Sequence, residues 1–292
     1  MYHLNLNTGV TLAHVRLSGA YYILAANDTE ALVVRDPPEL KTRVQVDQTT
    51  PVPLAEPIWK IRRAALDVDR SIWLINWFGV LFRFKPDAFS SPQYLNQPDG
   101  LLNNIVGVVE IGPDGGVWIG SSSGVSYLLN DTEQWETYAV EDGWRGPVCD
   151  FVFAADGSVW VMWSRQYHVA ASPGAWGVTH IQANGNLQHY DLNQLTGINA
   201  PHSDDAIVLD VYGRLWFIAY QPNPPELFLG ILDTDGELAT PLYSLGRMQE
   251  KLAPLTVSRS NLTVGTHGIL QDGSGGVYLY NGADLPLRHW RP

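Results

Sequence analysis

Four residues in the last third of the chain, His202, Asp204, Asp205 and His267, carry side chains from which a reactive centre could be built. Imidazole beside carboxylate can hold a divalent cation such as Ca or Mg, or work as an acid/base pair. No H-x-E-x-H-type spacing joins them, so only the fold could bring them together. Three further charged residues, Arg62, Arg63 and Asp150, stand like Asp204, Asp205 and His267 at the beginnings of apolar runs. Gly120-Ser-Ser122-Ser-Gly124 spells G-x-S-x-G, a nucleophile elbow only on a strained strand-to-helix turn. A third set is aromatic: Trp77, Trp144, Trp163, Tyr167, Trp176 and Tyr220. Partner-binding surfaces favour such rings.

The elements that must position these residues are strands. Pro98 to Asn130 holds an apolar run to Ile111, the turn signal Pro113-Asp114-Gly115-Gly116, a run centred on Trp118, a Gly/Ser loop and a run to Leu129. Asp-Gly between apolar runs signals a hairpin, here read as a type I′ turn with both turn residues at positive φ. The G-x-S-x-G segment joins two of these strands, which removes the elbow reading.

That strand-turn-strand core recurs. Tyr22, Trp73, Trp118, Trp160, Trp216 and Tyr278 occupy equivalent places, 51, 45, 42, 56 and 62 residues apart. A period of this size indicates a β-propeller, each repeat a four-stranded blade. Six anchors predict six blades in one domain over 1–292, at about 10–47, 61–97, 104–140, 147–192, 204–243 and 262–292 with 1–6. The last blade is one strand short, so the N-terminal strand is expected to complete it and hide both edges. The repeated Trp residues read as inter-blade core, one per blade.

Connections after first and third strands are short. Those after second and fourth strands are long: 47–59, 164–176, 193–204, 221–226 and 244–261, where RMQEKLAPL could form a short helix. Long connections without strands of their own are binding elements, which makes theirs the working face. His189 and His180, alternating with apolar residues in outer strands, read as surface or inter-blade groups.

The segment DGLLNNIVGVVEIGPDGGVWIGSSSGVSYLL resembles the repeat of the two-component regulator propeller family at Gly100, Leu101, Asn104, Val106, Asp114, Gly115, Trp118, Ile119, Gly120, Gly124 and Val125. EDGWRGPVCDFVFAADGSVWV is similar to it in looser form. The resemblance implies a propeller of the bacterial sensor type and carries over no ligand residue.

A formal charge of −12, with four lysines among eighteen basic residues and no basic run, argues against nucleic-acid binding. No window of eighteen apolar residues exists, so no membrane span is expected, and one Cys149 fits a reducing compartment. A cytoplasmic location is the expectation. The function expected is non-enzymatic recognition of a protein segment or small ligand, without cofactor. Arg62, Trp77, Trp144, Asp150, Trp163, Tyr167, Trp176, His202, Asp204, Asp205, Tyr220 and His267 are its candidate contacts. The alternative is a propeller hydrolase or lyase with a divalent metal on His202, Asp205 and His267.

Overall fold

The computed structural model describes residues 61–67, 69, 71–85, 91–129, 132–164, 176–198, 207–222, 225–233, 236–238 and 242–247, with strand backbone at 2–4, 11–14, 21–26, 30–35, 41–45, 48–51, 200–201, 267–271, 277–281 and 288–290. The chain divides into two units, Met1–Ala139 with Ser258–Val264, and Val140–Val257 with Gly265–Pro292.

In the first unit β1 (Tyr2–Leu4) pairs with β2 (Thr11–His14). Three antiparallel meanders follow. They are β3 (Tyr21–Ala26), β4 (Glu30–Arg35), β5 (Lys41–Gln45) and β6 (Gln48–Pro51); β7 (Ile61–Leu66), β8 (Ile72–Asn76), β9 (Leu81–Phe84) and β10 (Gln93–Leu95); and β11 (Val106–Ile111), β12 (Val117–Ser121), β13 (Gly124–Leu128) and β14 (Trp135–Tyr138). The first strands of these sheets pack on one another, β3 on β7 and β7 on β11.

The second unit continues with β15 (Val148–Phe153), β16 (Val159–Ser164), β17 (Trp176–Ile181) and β18 (Leu187–Asp191). A short helix α1 (Leu192–Thr196) follows directly. The next sheet has β19 (Ala200–Pro201) and β20 (Ile207–Leu209) on one side of β21 (Leu215–Pro222), then β22 (Pro225–Leu232) and β23 (Tyr243–Arg247). A three-stranded sheet ends the chain: β24 (His267–Gln271), β25 (Val277–Asn281) and β26 (Arg288–Trp290). β20 packs on both β15 and β24. This all-β series of antiparallel meanders is consistent with a propeller.

Several expectations are corrected. The N-terminal strand pairs with β2 and not, in the described pairings, with the last sheet. A partner seven residues away closes a smaller loop and loses less chain entropy. VTLAHVRL therefore supplies β2, and the first complete meander begins at β3 and takes its fourth strand from the supposed linker at 47–59. Pro51 ends that strand, where a missing N–H is tolerated. The segment 221–226 is not a long loop, since Pro222 pairs with Pro225. Within ELATPL, Leu238 makes an isolated bridge to Leu232, and the outer strand is Tyr243–Arg247 rather than ELATPL. The connection 193–204 holds most of α1 and also β19. RMQEKLAPL beyond Arg247 lies outside the described residues.

The turns differ from the expected type I′. Gly112 N–H donates to Gly116 O (2.8 Å) and Gly115 N–H to Gly112 O (2.9 Å), which closes a three-residue loop with Gly115 at φ +79°. The pattern repeats at Gly157, Gly185, Gly213 and Gly236. Only the glycine needs the left-handed region here. The preceding Asp or Asn acts through its side chain instead: Asp114, Asp156 and Asn184 accept the backbone N–H two residues on, at 2.9 to 3.0 Å.

Each described anchor Trp is buried: Trp73 0%, Trp118 6%, Trp160 3% and Trp216 1% exposed. A buried indole needs an acceptor. Trp73 Nε1–H donates to Asp67 Oδ2 (3.1 Å) and Trp216 Nε1–H to Asp210 Oδ2 (2.9 Å), each acceptor six residues before its ring. Asp210 also receives Arg214 Nε–H at 2.7 Å and the backbone N–H of Tyr212 and Arg214.

The fourth complete meander carries two histidines on its outer half. His180 lies flat on Trp160, ring centroids 4.3 Å apart, and His189 Nδ1 is 2.8 Å from Thr179 Oγ1. Burial holds the His180 imidazole below its usual pKa, against a smaller opposing pull from Asp156. His189 is lowered by burial and then by the charge of Arg145. In the unfolded chain both return to about 6.5, so on acidification the unfolded state takes up protons first. The stability they contribute is complete above about pH 6.5 and is lost as pH falls through the folded values.

Two outcomes follow. Asp210→Ala strands the indole N–H and a partly buried guanidinium, and should cost about 3 kcal/mol in urea unfolding; a loss under about 1 kcal/mol would refute a stabilising role for the Asp210 carboxylate. Between pH 7 and pH 5 the urea midpoint of the wild type should fall more than that of a His180→Gln/His189→Gln double variant, and equal slopes would exclude these imidazoles as the cause.

Candidate functional site

The aromatic candidates separate into three kinds. Trp144 is buried and donates to Gly146 O at 2.6 Å. Trp176 is fully buried, donates to Ile198 O at 2.7 Å and meets Phe217 edge-on. Both are packed plugs rather than contact rings, a correction to the sequence expectation. An indole has enough apolar surface to anchor a connection to the sheet below it. Trp77 is exposed (57%), beside exposed Phe78 and within the first unit's β8–β9 turn. Trp163, expected as a contact, is 2% exposed on β16, so it can act only as part of a wall.

Of the charged candidates, Asp150 is buried (6%) in β15, where its Oδ1 accepts the Phe151 N–H at 2.9 Å. Arg62 occupies a β-bulge, where the register with β8 jumps from Ile61 to Arg63. The backbone of His267 opens β24 and that of Tyr220 lies in β21. Tyr167, His202, Asp204 and Asp205 lie outside the described residues. Among the described residues no three His, Cys, Asp or Glu side chains cluster as a metal site would require.

A concave site does form in the second unit, at the end of the sheet where β16 and β18 finish. It has a volume of about 310 Å³ and is walled by Arg145, Trp163, His189, Tyr190, Asp191, Gln194, Leu195 and Gly236. Sequence reasoning named only Trp163 among these as a contact.

Local folding explains the assembly. Trp163 stands opposite Gly177 in the β16–β17 ladder. A Cβ at Gly177 would lie 2.9 Å from the Trp163 ring and 2.1 Å from Tyr190 O, so glycine there lets the indole and β18 approach together. Asp191 then ends β18 and caps α1, accepting the Gln194 N–H through Oδ1 at 3.0 Å. Leu192 is fully buried, and Ile198 O, just past the helix, takes hydrogen bonds from Trp176 and Asn193. These ties fix the helix turn that presents Gln194 and Leu195. Gly236, at φ +82°, sits against the Tyr190 ring, where a Cβ would lie 1.9 Å from Cε1.

The polar inventory follows. Arg145 supplies a guanidinium, near enough to His189 to lower its pKa. His189 is tethered to Thr179 and kept neutral near pH 7. Trp163 Nε1–H is buried without an acceptor. An unmatched buried donor costs on the order of 1–3 kcal/mol and calls for an explanation. The site offers one cation, the Asp191 carboxylate, neutral polar groups and apolar surface from Tyr190 and Leu195. That is the composition of a binding pocket. The sequence signal that could have found it is His189-Tyr-Asp-Leu-Asn-Gln194, a strand running into an Asp-capped helix on the same sheet end as Trp163.

No protein-family model matches the chain, and no curated protein matches it in sequence. Solved structures do resemble it. Virginiamycin B lyase from Staphylococcus aureus, crystallised as a catalytically inactive variant with quinupristin, is 14% identical with a TM-score of 0.56, over 94% of this chain and 86% of that one. The extracellular domain of the one-component system BT4673 from B. thetaiotaomicron is 15% identical with a TM-score of 0.55, over 91% of this chain and 32% of that one. YCF48 bound to D1 peptide is 13% identical with a TM-score of 0.52, over 92% of this chain and 79% of that one. At such identities the likeness is one of fold, and it places this chain among β-propeller-like proteins.

Proposed function

We propose that this chain is a six-bladed recognition module, one blade to each aromatic anchor, that binds a protein segment or small ligand at the end of its second-unit sheet. The observation that carries the reading is the pocket itself. It joins a guanidinium, a carboxylate, a neutral imidazole and an amide to apolar walls, the mixture by which a site orients a ligand. Two of the resembling structures, an extracellular domain of a bacterial one-component system and a protein bound to a peptide, are compatible with such a role. The exposed pair Trp77 and Phe78, with Ile105 also exposed, offers the first unit a separate apolar contact.

The test is capture from native cell extract, read by mass spectrometry, with wild type beside two variants. Arg145→Glu/Gln194→Ala removes the pocket's polar groups, and Trp77→Ser removes the exposed ring. All substituted side chains are exposed, so melting temperatures should stay within about 2 °C of wild type, as expected of surface positions. A molecule retained by wild type and lost by the pocket variant is the expected result. Equal capture by wild type and the pocket variant would overturn the reading.

A further inference from the structure

Two Asn-Gly pairs occur in the chain, Asn184-Gly185 and Asn281-Gly282. A glycine has no Cβ to shield its backbone nitrogen, so that nitrogen can approach the side-chain amide carbon of the residue before it. Asn281 ends β25, and Gly282 lies outside the described residues. Asn184-Gly185 is described in full, at the tip of the β17–β18 hairpin, and both residues are exposed. A Cβ built on Gly185 would meet nothing within 4 Å, so the glycine has open space beside it. We propose that Asn184 is a site of spontaneous deamidation, gated by opening of this turn.

The reaction needs only the chain and water. Gly185 N gives its proton to solvent base and bonds to Asn184 Cγ; the Cγ–Nδ2 bond breaks, and the amide nitrogen takes up a proton and leaves as ammonia. The product is a cyclic imide. Water adding at Cγ reopens it to aspartate, and water adding at the Asn184 backbone carbonyl reopens it to isoaspartate. No oxidant or reductant is consumed.

The turn supplies the gate. Gly185 N–H donates to Gln182 O at 2.8 Å, and Asn184 Oδ1 accepts the Asn186 N–H at 3.0 Å. Both reacting groups are engaged, so attack requires a local opening, which costs least at exposed tips. Asp114 and Asp156 hold the same place in equivalent turns and accept the backbone N–H two residues on in the same way. Aspartate at position 184 therefore fits the hairpin. Isoaspartate does not, because it adds a carbon to the backbone just before Gly185, inside the loop that Gln182 and Asn186 close. β18 starts at Leu187 and carries His189, Tyr190 and Asp191 of the concavity, so the misfit falls on the strand that builds it. This inference stands apart from the recognition reading and does not depend on it.

The full chain would be aged in mildly alkaline buffer, once folded and once in urea. Peptide mapping by mass spectrometry, with fragmentation that separates aspartate from isoaspartate, follows each asparagine. In the folded chain Asn184 should be lost at least about tenfold faster than Asn186 or Asn193, and about tenfold slower than in urea, the second ratio reporting the opening of the turn. Asn184→Asp should melt within about 2 °C of wild type, and the isoaspartate form, isolated by chromatography, should melt lower than both. The proposal is overturned if Asn184 survives in the folded chain once the urea sample is fully converted, or is lost no faster than Asn186 and Asn193. Equal rates in the two states would remove the gate, and an isoaspartate form that melts with wild type would remove the misfit.

Discussion

A buried indole carries a demand as well as a benefit: it removes a large apolar area from water but brings one N–H that must find an acceptor. The described sheets depend on how that demand is met. In the sheets of Trp73 and Trp216 the acceptor is a turn aspartate six residues earlier, and in the Trp216 sheet that same carboxylate also takes the backbone N–H groups of its turn. Sequence spacing, turn geometry and core packing are thereby locked into one unit. In the sheets of Trp118 and Trp160 the corresponding positions are Gly112 and Ala154, which have no carboxylate to offer. The device is thus used in two of the four described anchor sheets.

The same accounting separates the other buried indoles. Trp144 and Trp176 each have a backbone carbonyl for their N–H, at 2.6 and 2.7 Å. Trp163, as deeply buried as either, has none. Its ring is fixed by Gly177 and by the ladder on both sides, so it cannot turn toward an acceptor without disturbing two strands.

Much of the fold was legible because its signals are local. The anchors at Trp73, Trp118, Trp160 and Trp216 and the glycines of their turns can be read from spacing alone, and their burial follows. What failed depended on competition between segments. Gln48–Pro51 resembles a proline-rich linker until its pairing with Lys41–Gln45 is seen, and Tyr2–Leu4 was assigned to a distant sheet although a nearer partner existed. Site residues were harder still. Aromatic type cannot distinguish Trp77, held in water, from Trp176, wholly buried, because the difference lies in whether a loop folds back over the ring. Arg145, His189 and Gln194 are unremarkable in sequence and acquire meaning only where three chain segments end together.

Exposure of Trp77 and Phe78 is itself a constructed feature. Asn76 Oδ1 accepts both the Phe78 and Val80 N–H, at 3.0 and 2.9 Å, and Val106 N–H donates to Gly79 O at 2.8 Å. Gly79, at φ +78°, lies so close to β11 that a Cβ would stand 3.0 Å from the Ile105 side chain. The turn is tied at its base and along one side, which leaves its two rings no route into the core of their own sheet. A loose loop could fold such rings away; a tied one keeps them in contact with water. Rigid presentation of apolar surface lowers the entropy lost on association, since the contact is ordered before a partner arrives. The first unit thus holds an exposed apolar pair and the second a polar concavity, and each is fixed by the hydrogen-bonding of a short connection rather than by the strands alone.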